Sequence, residues 1–192
     1  MTGVLIIALS YLVGSFPSAF IFSRLFKKID IRSEGSGNVG GMNTYRSAGL
    51  LPGILTIIFD ILKGVLAVMP AIALQMDQPA VFACAFMAVL GHNYSLFLRF
   101  RGGKGLATGL GVFIALSPST IVFTVLCAII LSLVLKDANT AFGSAALSIP
   151  VILGVQYGQW DWVLFGSGIA ALIIIKHIPD YHAYIQGRRQ LR

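Results

Sequence analysis

From residue 3 to residue 22 the chain carries no charged side chain, and apolar runs of this kind recur along nearly its whole length. They can be drawn at about 3–22, 51–74, 79–98, 106–116, 119–135, 141–158 and 160–176. A helix of ~20 apolar residues, rising 1.5 Å per residue, crosses ~30 Å of hydrocarbon, where every backbone N–H and C=O must be satisfied within the chain. The pattern predicts an all-α integral membrane fold of seven transmembrane helices in a single membrane domain, 1–192. Only 11% of the residues are charged, against about a quarter in soluble domains. The first run lacks a basic leader and an Ala-x-Ala cleavage site, so it reads as a span. Cys84 and Cys127 fall inside apolar runs and read as buried hydrophobes without a disulfide framework. The fourth run is short. It suits a stubby helix, a re-entrant piece, or half of one pass kinked at Ser117-Pro118-Ser119.

Charge counting chooses among these. If the fourth and fifth runs are separate passes, the loops 23–50, 99–105 and 136–140 share one side with the tail 177–192. Thirteen of the 14 Lys and Arg then lie there: Arg24, Lys27, Lys28, Arg32, Arg46, Arg99, Arg101, Lys104, Lys136, Lys176, Arg188, Arg189 and Arg192. The opposite side holds only Asp77 and Asp161, with Trp160 and Trp162 at its boundary. The positive-inside rule then puts the N-terminus out and the C-terminus in. Because topology accounts for the basic excess, no nucleic acid is expected as a partner. The longest loop, 23–50, is the one stretch with room for an extramembrane element.

Four constellations suggest chemistry. The run Gly35-Ser36-Gly37-Asn38-Val39-Gly40-Gly41-Met42-Asn43-Thr44-Tyr45-Arg46 combines bare backbone N–H groups with polar donors, which suits an anion. Gly35, Gly37 and Gly40 match a dinucleotide fingerprint, but no strand or βαβ unit surrounds them. Gly91-His92-Asn93-Tyr94 precedes Arg99-Phe100-Arg101-Gly102-Gly103-Lys104-Gly105, where glycines enclose Lys104 at a helix start, again favourable to an anion. This is not a Walker loop, and positive-inside anchoring explains Arg99 and Arg101 but not Lys104. Asp60 and Lys63 stand one turn apart within the second span. Charges at that depth cost ~3 kcal/mol or more unless paired, so the two read either as functional or as a structural ion pair. The last is Lys176-His177-Ile178-Pro179-Asp180-Tyr181-His182, whose His177 suits phosphate binding or proton transfer. His92, His177 and Asp180 lack metal-ligand spacing, and neither a metal nor a cofactor is expected.

Together these residues resemble the bacterial acyl-phosphate glycerol-3-phosphate acyltransferases, the PlsY family. Its first motif, Ser-Gly-Asn-x-Gly-x-x-Asn-x-x-Arg, is matched from Ser36 to Arg46. Asp-x-x-Lys-Gly is matched from Asp60 to Gly64. Gly-His-x-Tyr and Phe-x-Gly-Gly-Lys-Gly-x-Ala-Thr are matched at Gly91–Tyr94 and Phe100–Thr108. The chain departs from the family at Met42, usually Thr, and at Ser95, usually Pro. It departs again in the Ser-rich third motif, here Thr140-Ala141-Phe142-Gly143-Ser144. At the end, Lys176, His177, Ile178, Asp180 and Arg189 replace Arg-His-Arg-x-Asn and a late Glu.

The resemblance implies seven spans in the bacterial cytoplasmic membrane, with the active site facing the cytoplasm, the bilayer as surroundings and a monomeric enzyme. It implies transfer of a fatty acyl group from acyl phosphate to the sn-1 hydroxyl of glycerol 3-phosphate, giving lysophosphatidic acid. Lys104, Arg46 and His177 are the expected catalytic residues. Ser36, Gly37, Asn38, Gly40, Asn43, Gly103, Gly105 and Thr140 are expected to bind substrate phosphate, with His92, Asp60, Lys63 and Asp180 as further candidates. One alternative is a paralogue that keeps acyl phosphate but uses another acceptor, since Asp180 sets an anion where the family has a neutral Asn. A small anion transporter is the second. The His-x4-Asp arrangement of other glycerolipid acyltransferases is absent, because Phe97, His182 and Gly187 stand where the Asp would be.

Overall fold

The computed structural model describes residues 2–187. Arg188, Arg189 and Arg192 of the basic tail lie outside the described residues. Among those described there is no strand. Among the described residues, six stretches are long and apolar enough to cross a membrane: Thr2–Lys27, Leu50–Ala73, Gln78–Leu98, Pro118–Leu135, Ala138–Tyr157 and Trp160–Ile185. The chain forms two compact units that divide between Ala115 and Leu116.

The first unit contains α1 (Thr2–Gly14), α2 (Ser18–Lys27), α3 (Gly41–Ala48), α4 (Leu50–Ala73), α5 (Gln78–Asn93) and α6, which covers Leu106–Leu116. α1 packs on α4 and α5, and α2 and α3 pack on α4. Small residues permit these approaches, as between helices that gain nothing from hiding apolar surface in lipid. A Cβ on Gly14 would strike the backbone of Ala88, and one on Gly64 would strike Thr108 and Gly111 of α6. Cys84 is buried with Ile6 and Ala71, and neither cysteine forms a disulfide.

The expected single helix over 3–22 is instead two helices, broken at residues 15–17. Pro17 has no N–H, so the Val13 carbonyl accepts from Phe16 N–H at 3.1 Å rather than from an i+4 donor. At bilayer depth the exposed carbonyls need other donors. Lys63 Nζ donates to Phe16 O at 2.9 Å, and Ser95 Oγ donates to Ser15 O. Ser95, where the family usually has Pro, thus closes the break. The loop after α2 is structured: a short 3-10 turn at Ile31–Ser33 leads to α3.

The second unit contains α7 (Pro118–Leu135), α8 (Ala138–Ala145), α9 (Ser148–Tyr157) and α10 (Trp160–Ile185). The run 141–158, read as one span, is α8 and α9. Pro150 removes the i+4 donor for Ala146 O, which accepts from Ile149 N–H at 3.1 Å instead. α10 does not end at residue 176. It continues through Pro179 to Ile185, tolerating one lost backbone bond. At one end of this unit Gln156 Oε1 accepts from Ser117 and Thr120 hydroxyls, and Tyr157 stacks on Trp162 at 3.9 Å.

Candidate active site

In the first unit the Ser36–Arg46 run is a loop wrapped around one side chain. Asn43, buried on α3, accepts from Ser36 N–H at 3.1 Å through Oδ1. Its Nδ2 lies within donating distance of the carbonyls of Ile31, Glu34 and Asn38, at 3.3, 3.0 and 3.0 Å. Asn43, expected to touch substrate, is therefore committed to shaping the loop. Gly35 and Gly37 have φ of +55° and +70°, the left-handed region that glycine adopts without strain. Ser36 and Arg46 are exposed and Asn38 is half-buried, so these side chains can meet an anion, whereas the N–H groups of Ser36, Gly37, Asn38 and Gly40, expected to face phosphate, donate within the loop to Asn43 Oδ1, Glu34 O, Ser36 Oγ and Asn38 O. At the foot of the loop Asp30 caps the 3-10 turn and holds Arg32 in a two-point ion pair, at 3.0 and 2.7 Å. The Arg32 guanidinium lowers the Asp30 carboxyl to about 2. Arg24 and Arg32 both lie over the Phe20 ring, at 5.6 and 5.3 Å.

The second loop approaches the first. Arg99 and Phe100, with φ of +55° and +61°, turn the chain back after the 3-10 turn Leu96–Leu98. Gly102 then lies flat on His92 and Asn93. Gly103 donates its N–H to His92 O at 3.1 Å. A Cβ on Gly103 would meet both His92 Nε2 and Val39 O, so the two glycine loops touch at this residue. Lys104 follows, half-buried, and Gly105 at φ +86° turns the chain toward α6 against Asn93.

Beneath this junction lies a buried polar cluster. Asp60 accepts from Ser18 Oγ at 2.5 Å and pairs with Lys63 at 2.7 Å, and His92 Nδ1 stands 3.6 Å away. Ser18, Asp60, Lys63, His92 and Ser95 line a small cleft with room for about one water. Ser18 went unread in the sequence, and Ser95 was noted only as a departure from the family; the signal was polar residues beside a proline break and at a loop entry.

The second unit holds Thr140, His177 and Asp180. Asp137 caps α8 by accepting from Thr140 N–H at 2.7 Å, which fixes the first turn. Thr140 Oγ1 is buried with no hydrogen-bond partner among the described residues. A buried hydroxyl in that state points to a ligand that completes it. His177, fully buried on α10, places Nδ1 2.8 Å from Ile173 O. A carbonyl only accepts, so Nδ1 carries a proton and donates it to Ile173 O. Gly143 of α8 lies flat against the His177 ring and the Tyr181 hydroxyl, where a Cβ would fall 2.7 and 2.8 Å from them. Tyr181 was missed in the sequence, although its i+4 spacing from His177 puts both on one helix face. Asp180 is half-buried and Ile178 exposed on the same helix.

Known proteins are similar to this chain in sequence and fold. A family profile described as glycerol-3-phosphate acyltransferase matches residues 4–187. A glycerol-3-phosphate acyltransferase of Desulforamulus reducens is 35% identical over 189 residues, 97% of this chain and 94% of that protein. Glycerol-3-phosphate acyltransferase 2 of Moorella thermoacetica is 39% identical over 186 residues, 96% and 94% of the two chains. The crystal structure of PlsY (YgiH), an integral membrane glycerol 3-phosphate acyltransferase, is similar in its glycerol 3-phosphate form with a TM-score of 0.90. The two are 32% identical, over 99% of this chain and 95% of that one. Its lysophosphatidic acid form gives a TM-score of 0.86 at 31% identity, over the same shares of the two chains. With glycine loops, Asp-x-x-Lys-Gly pair and terminal histidine all within the matched span, the chain belongs to the glycerol-3-phosphate acyltransferase family.

Proposed function

We infer that this membrane protein transfers a fatty acyl group to the sn-1 hydroxyl of glycerol 3-phosphate and so forms lysophosphatidic acid, with acyl phosphate as the donor. The observation that carries the reading is family membership over residues 4–187. An acyl phosphate is a mixed anhydride and already activated, so the protein needs mainly to orient two anions and offset charge. The sn-1 oxygen attacks the acyl carbon, the bond from that carbon to the phosphate oxygen breaks, and inorganic phosphate leaves. Lys104 and Arg46 bind phosphate, assisted by the side chains of Ser36 and Asn38. Thr140 completes its hydroxyl on a substrate oxygen. His177 holds the acceptor or takes the proton through Nε2; a phosphate oxygen of the substrate is the other base available.

We place the enzyme in the bacterial cytoplasmic membrane as a monomer with seven passes, N-terminus outside, the site facing the cytoplasm and the acyl tail between spans. The one-sided distribution of Lys and Arg supports that orientation. The test mixes membranes containing the protein with palmitoyl phosphate and labelled glycerol 3-phosphate, with palmitoyl-CoA as the comparison donor. Labelled lysophosphatidic acid is expected from acyl phosphate and is lost in Lys104→Ala. Product from palmitoyl-CoA alone would replace the donor, and no product from either would overturn the reading.

A further inference from the structure

The mechanism above leaves Asp60 and His92 unused. Lys63 is accounted for: it satisfies the Phe16 carbonyl at the α1–α2 break, and Asp60 balances its charge. A helix break needs no histidine. His92 nevertheless faces the same Asp60 oxygen through Nδ1 at 3.6 Å, while its opposite edge, Nε2, lies against Gly103. Its backbone carbonyl accepts the Gly103 N–H, so one residue holds Gly103 by both ring and main chain. Val39 of the first loop closes the third side. Asp60 itself is enclosed by Ser18, Lys63 and His92, and an anion touching two phosphate substrates would repel them. A role one residue removed from the substrates is the one its charge allows.

We propose that Asp60 and His92 are positioning residues: Asp60 orients the His92 ring, and the ring holds Gly103 so that Lys104 meets the phosphate at the junction of the two glycine loops. The proposal rests on the acyltransferase reading, in which Lys104 binds phosphate, but the placement of the loop can be measured without turnover. A displacement of about 1 Å in a binding group can lower kcat/KM by as much as about a hundredfold. Replacing His92 leaves the Asp60–Lys63 pair intact, so the variants keep the bilayer-depth charges neutralised.

The experiment compares purified wild type with His92→Leu, His92→Gln, Gly103→Ala and Ser10→Ala. It reads kcat, the KM for palmitoyl phosphate and for glycerol 3-phosphate, Tm, and amide hydrogen exchange of the segment 99–106. His92→Leu is expected to speed exchange in that segment and to raise at least one KM about tenfold or more, with kcat less affected. His92→Gln, which offers Asp60 an amide donor, recovers most of the loss, and Gly103→Ala reproduces the KM change without touching Asp60. Ser10→Ala removes a buried bond to Ala67 O and lowers Tm while both KM values stay put. Wild-type exchange in His92→Leu, or a lower Tm with unmoved KM, would overturn the proposal. An inactive wild type would refute the acyltransferase reading instead, and the exchange data would still decide whether His92 holds the loop.

Discussion

Lys63 is buried within α4 and its polar needs are met locally: Asp60 at 2.7 Å pairs with it and Phe16 O, at 2.9 Å, accepts an N–H. Removing one partner of such a pair costs about 3–5 kcal/mol because the other charge is left buried, whereas replacing both is often nearly neutral. Lys63→Met is therefore expected to lower stability by that amount in denaturant titrations in detergent, and Asp60→Asn combined with Lys63→Met to recover most of it. Asp30 poses a surface version of the problem. Its folded carboxyl is lowered to about 2 from 3.8, so its contribution is present above the unfolded value and is lost as pH falls through that window. The pair is partly solvated, which limits the effect to about 1 kcal/mol. Wild type should lose Tm between about pH 4 and pH 2, and Asp30→Asn should lack that component. Thr140 was legible as a candidate only through the third motif; that its hydroxyl is buried and open-ended depends on the Asp137 cap, which no spacing rule reveals. A hydrogen bond to a charged oxygen is worth about 1.5–3 kcal/mol, so Thr140→Val should lower kcat/KM at least about tenfold while Thr140→Ser largely keeps it.

At the level of helices, apolar length marked where spans lie, but not where they break. Pro17 and Pro150 sit inside runs without a charged side chain, and the first break exists because distant side chains, Lys63 and Ser95, satisfy the freed carbonyls. Those donors lie far away in sequence, so the runs read as continuous. Glycine roles divided in the same way. Gly64 closes the Asp-x-x-Lys-Gly motif, and in the structure it forms a helix crossing: its Cα faces Gly111 of α6, and a Cβ on Gly111 would strike Ile61 O. Overpacking at such a contact typically costs about 1–3 kcal/mol. Gly111→Ala is expected to lower Tm by forcing α4 and α6 apart, with both KM values of the remaining folded enzyme unchanged. A changed KM would mean that the crossing also sets the phosphate loop that precedes α6.

For the whole molecule, the number of passes turns on α6. Eleven residues span only about 16 Å, roughly half of the hydrocarbon thickness. Crossing therefore requires bilayer thinning or help from its flanks, both of which are available to short helices at modest cost. Residues 101–105 on one flank are rich in glycine and charge, and Ser117 on the other is a buried polar residue. Parity makes the question testable. If α6 crosses, Lys136 lies on the same side as Arg24 and His182, and Asp161 on the other. If α6 turns back, Lys136 changes sides relative to Arg24. With Cys84 and Cys127 replaced by Ala, single cysteines at positions 24, 136, 161 and 182 in inverted and right-side-out vesicles can be reacted with an impermeant maleimide. Seven passes predict labelling of 24, 136 and 182 from the cytoplasmic face alone, and of 161 from the outer face alone. Labelling of 24 and 136 from opposite faces would mean that α6 is re-entrant, and the positive-inside balance would then no longer explain why Lys136 lies where it does.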